Sequence, residues 1–216
     1  MTPDSRTRAR LLKAAEQLFG ERGFKKVTVR EICRAADANV AAVNYHFGDK
    51  LGLYRELLQS SIDRMRATNE AARKEGLGLS PEEQLRRYIG VFLARILSPG
   101  GASFHRIINR EMDDPTPALD ALIEHGLRPR IQYLSGVVAQ IMKCDARDAR
   151  VLRCVGSVQA QAFTYLKNPI AARLGFVFTP TPEFIERAAD HIATFSIAGI
   201  RAIARTSRPD AQRRRP

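Results

Sequence analysis

The sequence predicts an all-α protein: an N-terminal three-helix head, a long connecting helix, and a bundle of further helices, about nine in all. Apolar residues recur at three- and four-residue spacing along nearly the whole chain, and no convincing stretch alternates as a half-buried strand would. The breaks between periodic segments carry helix caps, glycines and prolines. The first fifty residues also divide into three short elements separated by tight turns.

Leu11, Leu12, Ala15, Leu18 and Phe19 form one face of a first helix, from about residue 5 to 21, with Asp4 or Ser5 as cap and Gly23 as stop. Thr28 with Glu31 has capping-box spacing and opens a second helix over 28–36. Asp37-Ala38-Asn39 tolerates left-handed backbone and restarts the chain as a third helix, 39–47, ended by Gly48. Asp49 caps a long helix over 50–75. Ser80-Pro81-Glu82-Glu83 is a cap, a proline at the first position and acids at the positive dipole end, so a helix runs from there to about Leu97. Pro99-Gly100-Gly101 reads as a break before a helix over 104–112. Pro115-Thr116-Pro117 leads into a helix reaching Met142, kinked at Pro129. Asp145 opens a helix to about Leu166, residues 167–182 form an irregular connection, and a last helix runs to about Arg205.

The 216 residues suffice for a sizeable core, and 44% apolar with 27% charged is ordinary for a globular chain. No run approaches the roughly 20 apolar residues of a membrane span, and no apolar leader follows the arginine-bearing N-terminus, so a cytoplasmic protein is expected. Cys33, Cys144 and Cys154 lack metal-ligand spacing and read as packed, reduced thiols. Neither a cofactor nor a metal is expected. The net charge of +12 is concentrated at the ends: residues 1–50 hold ten Lys/Arg against six Asp/Glu, and residues 201–216 hold six against one. A polyanion is the partner such a distribution suits. The Arg213-Arg214-Arg215 tail within 207–216 reads as a disordered basic end.

Helices two and three have the proportions of a helix-turn-helix, whose second helix presents its N-terminal part to the major groove. Ala41 and Ala42 are small enough for close approach, and alanine can touch a thymine methyl. Asn44 can read adenine or hold a phosphate, and Tyr45 and His46 can hydrogen-bond the backbone. Thr28, Asn39 and Lys50 stand at helix starts where phosphates would lie, and Arg30 is a further contact.

The run TVREICRAADANVAAVNYHFGDKLGLYRELL, with FGERGF before it, resembles the DNA-binding domain of the TetR family of transcriptional regulators. Asp37 stands where that family usually carries glycine. REMDDPTPALD and FSIAGIRAI are similar to one branch of the family in which NYHFGDK recurs. The resemblance implies a head at 1–49, a ligand-binding and dimerisation domain at 50–206 with 50–75 as connector, and a homodimer. It further implies a repressor on a pseudo-palindromic double-stranded operator, released by a small-molecule effector, with the connector as lever. From the residues themselves, Leu152, Val155 and Gly156 on one helix, and Ile185, Ala189, Ile192, Phe195, Gly199 and Ile203 on the last, form apolar stripes with small residues suited to pairing with a second copy or with their own core. His105, Tyr133, Gln159, Phe163 and Tyr165 are candidate ligand contacts. An activator, a non-specific basic DNA-coating protein and a helical-bundle enzyme are the competing classes, though no GxSxG, HExxH, phosphate loop or Glu-x-x-His pair invites the last.

Overall fold

A computed structural model describes residues 3–166 and 169–206, which fall into two compact units. No strand occurs among the described residues. The expected basic tail at 207–216 lies outside them.

The first unit comprises residues up to Ala67 together with Ile96–Pro129. It contains α1 (Pro3–Arg22), α2 (Val29–Ala35), α3 (Val40–Phe47), the first part of α4 (Lys50–Glu75), and α6 (Pro99–Asp113). Then come a short α7 (Leu119–Leu122) and a π-helical turn over Ile123–Leu127. Its core is built as the helical period requires: Leu11, Ala15 and Phe19 of α1 meet Ile32 and Cys33 of α2, Val43 of α3, and Leu53, Tyr54, Leu57 and Leu58 of α4. Phe19, Phe24 and Tyr54 cluster edge-on and tilted, with ring centroids 4.9 to 5.7 Å apart. Phe104 and Ile107 of α6 belong to the same core. A head defined by its motif as 1–49 is therefore packed as part of a larger body.

That body holds a buried carboxylate, Glu111, which accepts from the Tyr54 hydroxyl and from the Thr116 amide (3.0 Å) and hydroxyl (3.2 Å). Burial, followed by this contact with Glu111, pushes the Tyr54 phenol far above its ordinary value. The network ties the end of α6 and the following turn to α4.

The second unit comprises residues 68–95 and those from Arg130 onward. It holds the end of α4, α5 (Pro81–Ile96), α8 (Arg128–Met142), α9 (Ala149–Phe163), a short α10 (Pro169–Arg173) and α11 (Pro182–Arg205). Leu85, Ile89 and Leu93, with Leu134, Val138, Val151, Val158, Ile192 and Ala193, are buried there. Gln161 donates to the Ser196 hydroxyl at 3.0 Å, tying α9 to α11.

Several expected boundaries move for identifiable reasons. Pro3 opens α1, so Asp4 stands inside the first turn instead of capping. Pro99-Gly100-Gly101 starts a helix instead of breaking one: Ser98 accepts from the Gly101 amide at 3.3 Å, and Pro99 occupies the first turn, where its missing N–H costs nothing. Asp148, not Asp145, caps α9 through the Arg150 amide at 2.9 Å. The stretch expected to be an irregular connection contains α10. Around Pro129 the expected kink takes the form of the π turn, and the His125 carbonyl accepts from Arg66 Nε at 3.3 Å. Gly126 within that turn sits against α4, where a Cβ would overlap the Met65 methyl and lie 3.5 Å from Ile62.

Candidate nucleic-acid interface

The surface of interest is assembled from three local devices. Thr28 caps α2 by accepting from the Glu31 amide at 3.3 Å, while the Glu31 carboxylate accepts from the Thr28 amide (2.8 Å) and hydroxyl (2.7 Å) and from Arg22 (2.7 Å). These bonds, the Thr28 contacts foremost, draw the Glu31 carboxyl down from 4.5 to about 2. Asp37 takes the left-handed backbone the turn needs, at φ 47°, and its carbonyl accepts from Arg10 at 3.0 Å. Asn39 then caps α3, its Oδ1 accepting from the Ala42 amide at 2.8 Å.

The cap sets the facing of α3. Val43 is fully buried, Ala42 and Phe47 pack against the core from its edge, and the Arg8 guanidinium lies 5.6 Å from the centre of the Phe47 ring. Ala41, Asn44 and Tyr45 are thereby turned to solvent, Tyr45 with 78% of its surface exposed. An open cleft of about 620 Å³ between α3 and the start of α1 is lined by Arg10, Asn39, Ala41, Tyr45 and their neighbours. Arg30 is exposed on α2 and forms no ion pair among the described residues. The same holds for Arg34, one turn further along the same helix face, a residue that motif spacing alone does not single out.

Two expected contacts already have partners within the chain. The His46 side chain is only 6% exposed, with Nε2 at 3.3 Å from Asp4 of α1, so it braces α3 at the edge of that cleft. Lys50 donates to the carbonyls of Phe24 (3.1 Å) and Val27 (3.0 Å), with its ammonium 4.3 Å from the Phe24 ring centre. It clamps the loop between α1 and α2. Gly52 is a further determinant that periodicity could not show: a Cβ there would overlap the Phe47 carbonyl oxygen where α4 leaves α3.

This geometry stands within matched family models. Residues 11–57 match the model described as bacterial regulatory proteins, tetR family. Residues 81–200, more than half of the chain, match the C-terminal domain of the HTH-type transcriptional dual regulator CecR. The chain belongs to the TetR family of bacterial transcriptional regulators. Its members are DNA-binding regulators, not enzymes. This TetR-family regulator is 28% identical to CecR of Shigella flexneri over 177 residues, covering 77% of this chain and 79% of the other. It is 42% identical to the transcriptional repressor BepR of Brucella suis over 64 residues, 30% of this chain and 29% of that one. A TetR-family regulator from Streptomyces coelicolor shares the fold with TM-score 0.63, 23% identity and coverage of 91% and 97%. A TetR-like regulator from Rhodococcus does so with TM-score 0.66, 18% identity and coverage of 93% and 98%.

In the second unit of this TetR-family regulator, the apolar stripes divide. Val155, Ala189 and Ile192 (1% exposed) are spent on the chain's own core and add no surface to an interface. Leu152, Gly156, Phe195 (66% exposed), Gly199 and Ile203 face outward, and Ile185 is half-buried. The candidate ligand residues separate too. Tyr133 of α8 and Gln159 and Phe163 of α9 belong to one cluster with Tyr88 and Phe92 of α5. Tyr165 instead packs on Phe178 (5.0 Å) and Phe184 (5.6 Å), pinning the connection before α11. His105 lies on α6 in the first unit. No group of three or more His, Cys, Asp or Glu among the described residues is placed to hold a metal, and no helix among them is long and apolar enough to cross a membrane.

Proposed function

We propose that this TetR-family regulator acts as a homodimeric repressor whose α3 enters the major groove of a pseudo-palindromic operator, and that a small molecule bound in the second unit releases it. The observation that carries the DNA reading is the solvent face of α3. A helix of eight residues exposes Tyr45 beside Ala41 and Asn44, while Val43 and Phe47 hold it down. An exposed tyrosine on a short helix brings contact area at low entropic cost. Ala41 and Asn44 would meet base edges, Tyr45 and the cap at Asn39 the backbone, and Thr28 and Arg30 the flanking phosphates.

Dimerisation is supported by the outward stripe. Gly156 and Gly199 have nothing within 4 Å of where a Cβ would stand. Gly199 lines a shallow groove of about 160 Å³ together with Phe195 and Ile203. Two such faces placed together would cover the exposed phenylalanine of each copy, and a dimer on a pseudo-palindrome needs its two α3 helices about 34–36 Å apart, one helical turn of DNA. CecR of Shigella flexneri is a dual regulator, which favours activation at some promoters as a second reading.

A shift assay on the upstream DNA of the protein's own gene, against random duplex, tests the proposal. Tyr45→Ala is expected to reduce operator affinity by about ten-fold or more, about 1.4 kcal/mol, with helicity and melting temperature unchanged. Equal affinity for the two DNAs would leave a non-specific binder. A promoter–reporter fusion then separates repression from activation.

A further inference from the structure

The second unit contains a group of buried polar atoms that the chain itself does not satisfy. The Tyr133 hydroxyl, Arg130 Nε and both amide atoms of Asn69 are shielded from solvent and make no hydrogen bond, and the Tyr88 hydroxyl and Gln159 Nε2, equally shielded, have only a loose contact with each other. Tyr88 is 1% and Asn69 7% exposed. Buried polar groups are nearly always paired, and each one left alone is costly. A single orphan is ordinary, but these come from four helices and several of them share one place.

The contacts locate that place. The Tyr88 and Tyr133 rings are 6.1 Å apart, and Tyr88 stacks on Phe92 at 5.7 Å. Phe92 meets Phe163 edge-on at 5.8 Å and carries the Arg130 guanidinium 5.1 Å from its centre. Burial raises the Tyr88 phenol, while the Arg130 charge and Gln159 pull against it, which places all three groups within electrostatic reach. Arg73 of α4 covers the Tyr133 ring at 5.1 Å, and Asn69 lies one turn before it on the same helix face.

The chemistry is lopsided. The orphans are mostly donors, among them a guanidinium with no acidic partner among the described residues, and the walls are aromatic rings. A neutral apolar molecule would leave every donor unpaired, and a cation would face Arg130. A planar ring bearing a carboxylate satisfies both parts: the ring packs against this aromatic group, and the carboxylate accepts from Arg130 and Gln159. We propose that this cluster is a binding site for small aromatic carboxylates, which deepens the effector reading above and rests on it for its regulatory consequence.

Binding to full-length protein is measured by calorimetry and thermal shift without DNA, using benzoate, salicylate and naphthoate beside the corresponding neutral amides. At least one acid is expected to bind saturably and about ten-fold or more tighter than its amide, with that preference lost in Arg130→Met. Gln159→Leu provides a second variant, expected to weaken the same acid while leaving the helical signal intact, should Arg130→Met fail to fold. Acids binding no better than amides, no saturable binding by any acid, or unchanged affinity in both folded variants would overturn the assignment. The shift assay is then repeated with the bound acid: binding without release from DNA refutes effector control but not the site, and absence of operator binding by the unliganded protein refutes the regulator reading alone.

Discussion

Thr28 and Glu31 show how much one pair of residues settles. Their reciprocal bonds fix where α2 begins, and the beginning of α2 sets where Arg30 and Arg34 point. Removing the cap hydroxyl in Thr28→Ala is expected to cost about 1 kcal/mol in denaturant unfolding. The Glu31 carboxyl is depressed in the folded chain from 4.5 to about 2, so its contribution is complete above pH 4.5 and is lost as the pH falls toward 2. Melting temperature is therefore expected to fall over that acid range more steeply in the wild type than in Glu31→Gln, and parallel profiles would remove Glu31 from the account. Lys50 and His46 show the converse. Their types suit phosphate contact, but a backbone carbonyl pair and Asp4 lie nearer and take them.

Among the elements, α11 is informative because its apolar face is wider than a single core needs. Ala188, Ile192, Ser196 and Ile200 follow four-residue spacing inward, and Phe195, Gly199 and Ile203 follow the same spacing outward. A charge introduced at Ile192 buries an unpaired ion and is expected to lower stability by several kcal/mol, whatever the oligomeric state. Phe195→Asp is the sharper variant: sedimentation is expected to show monomers with an unchanged melting curve shape, and a surviving dimer would move the interface elsewhere.

For the whole molecule, the net charge of +12 becomes a statement about salt. If the paired heads neutralise about six phosphates, operator affinity is expected to fall by about a thousand-fold between about 50 and 200 mM salt. Arg30→Ala is then expected to make that salt slope shallower by about one for each Arg30–phosphate pair removed. A salt-independent affinity would place recognition on uncharged groups. Cys33 and Cys154 are buried, and burial pushes both thiols up, so thiol labelling of the folded protein is expected to leave these two unmodified.

Residue order alone settles the helical class, the succession of the head helices, the capping box, the turn at Asp37 and the family. All of these are local, written in spacing and in the few residue types that tolerate a given backbone. Packing decides what local spacing cannot carry. A helix face shows that Ile192 and Phe195 are apolar, but only the packing of the second unit against α11 makes one core and leaves the other bare. Ser98 is not legible as a cap because Pro-Gly-Gly signals a break and a start alike, and the following helix resolves it. The polar cluster around Tyr88 joins residues from α5, α8 and α9 that are far apart in the chain, and only folding reveals that their donors lack well-formed acceptors.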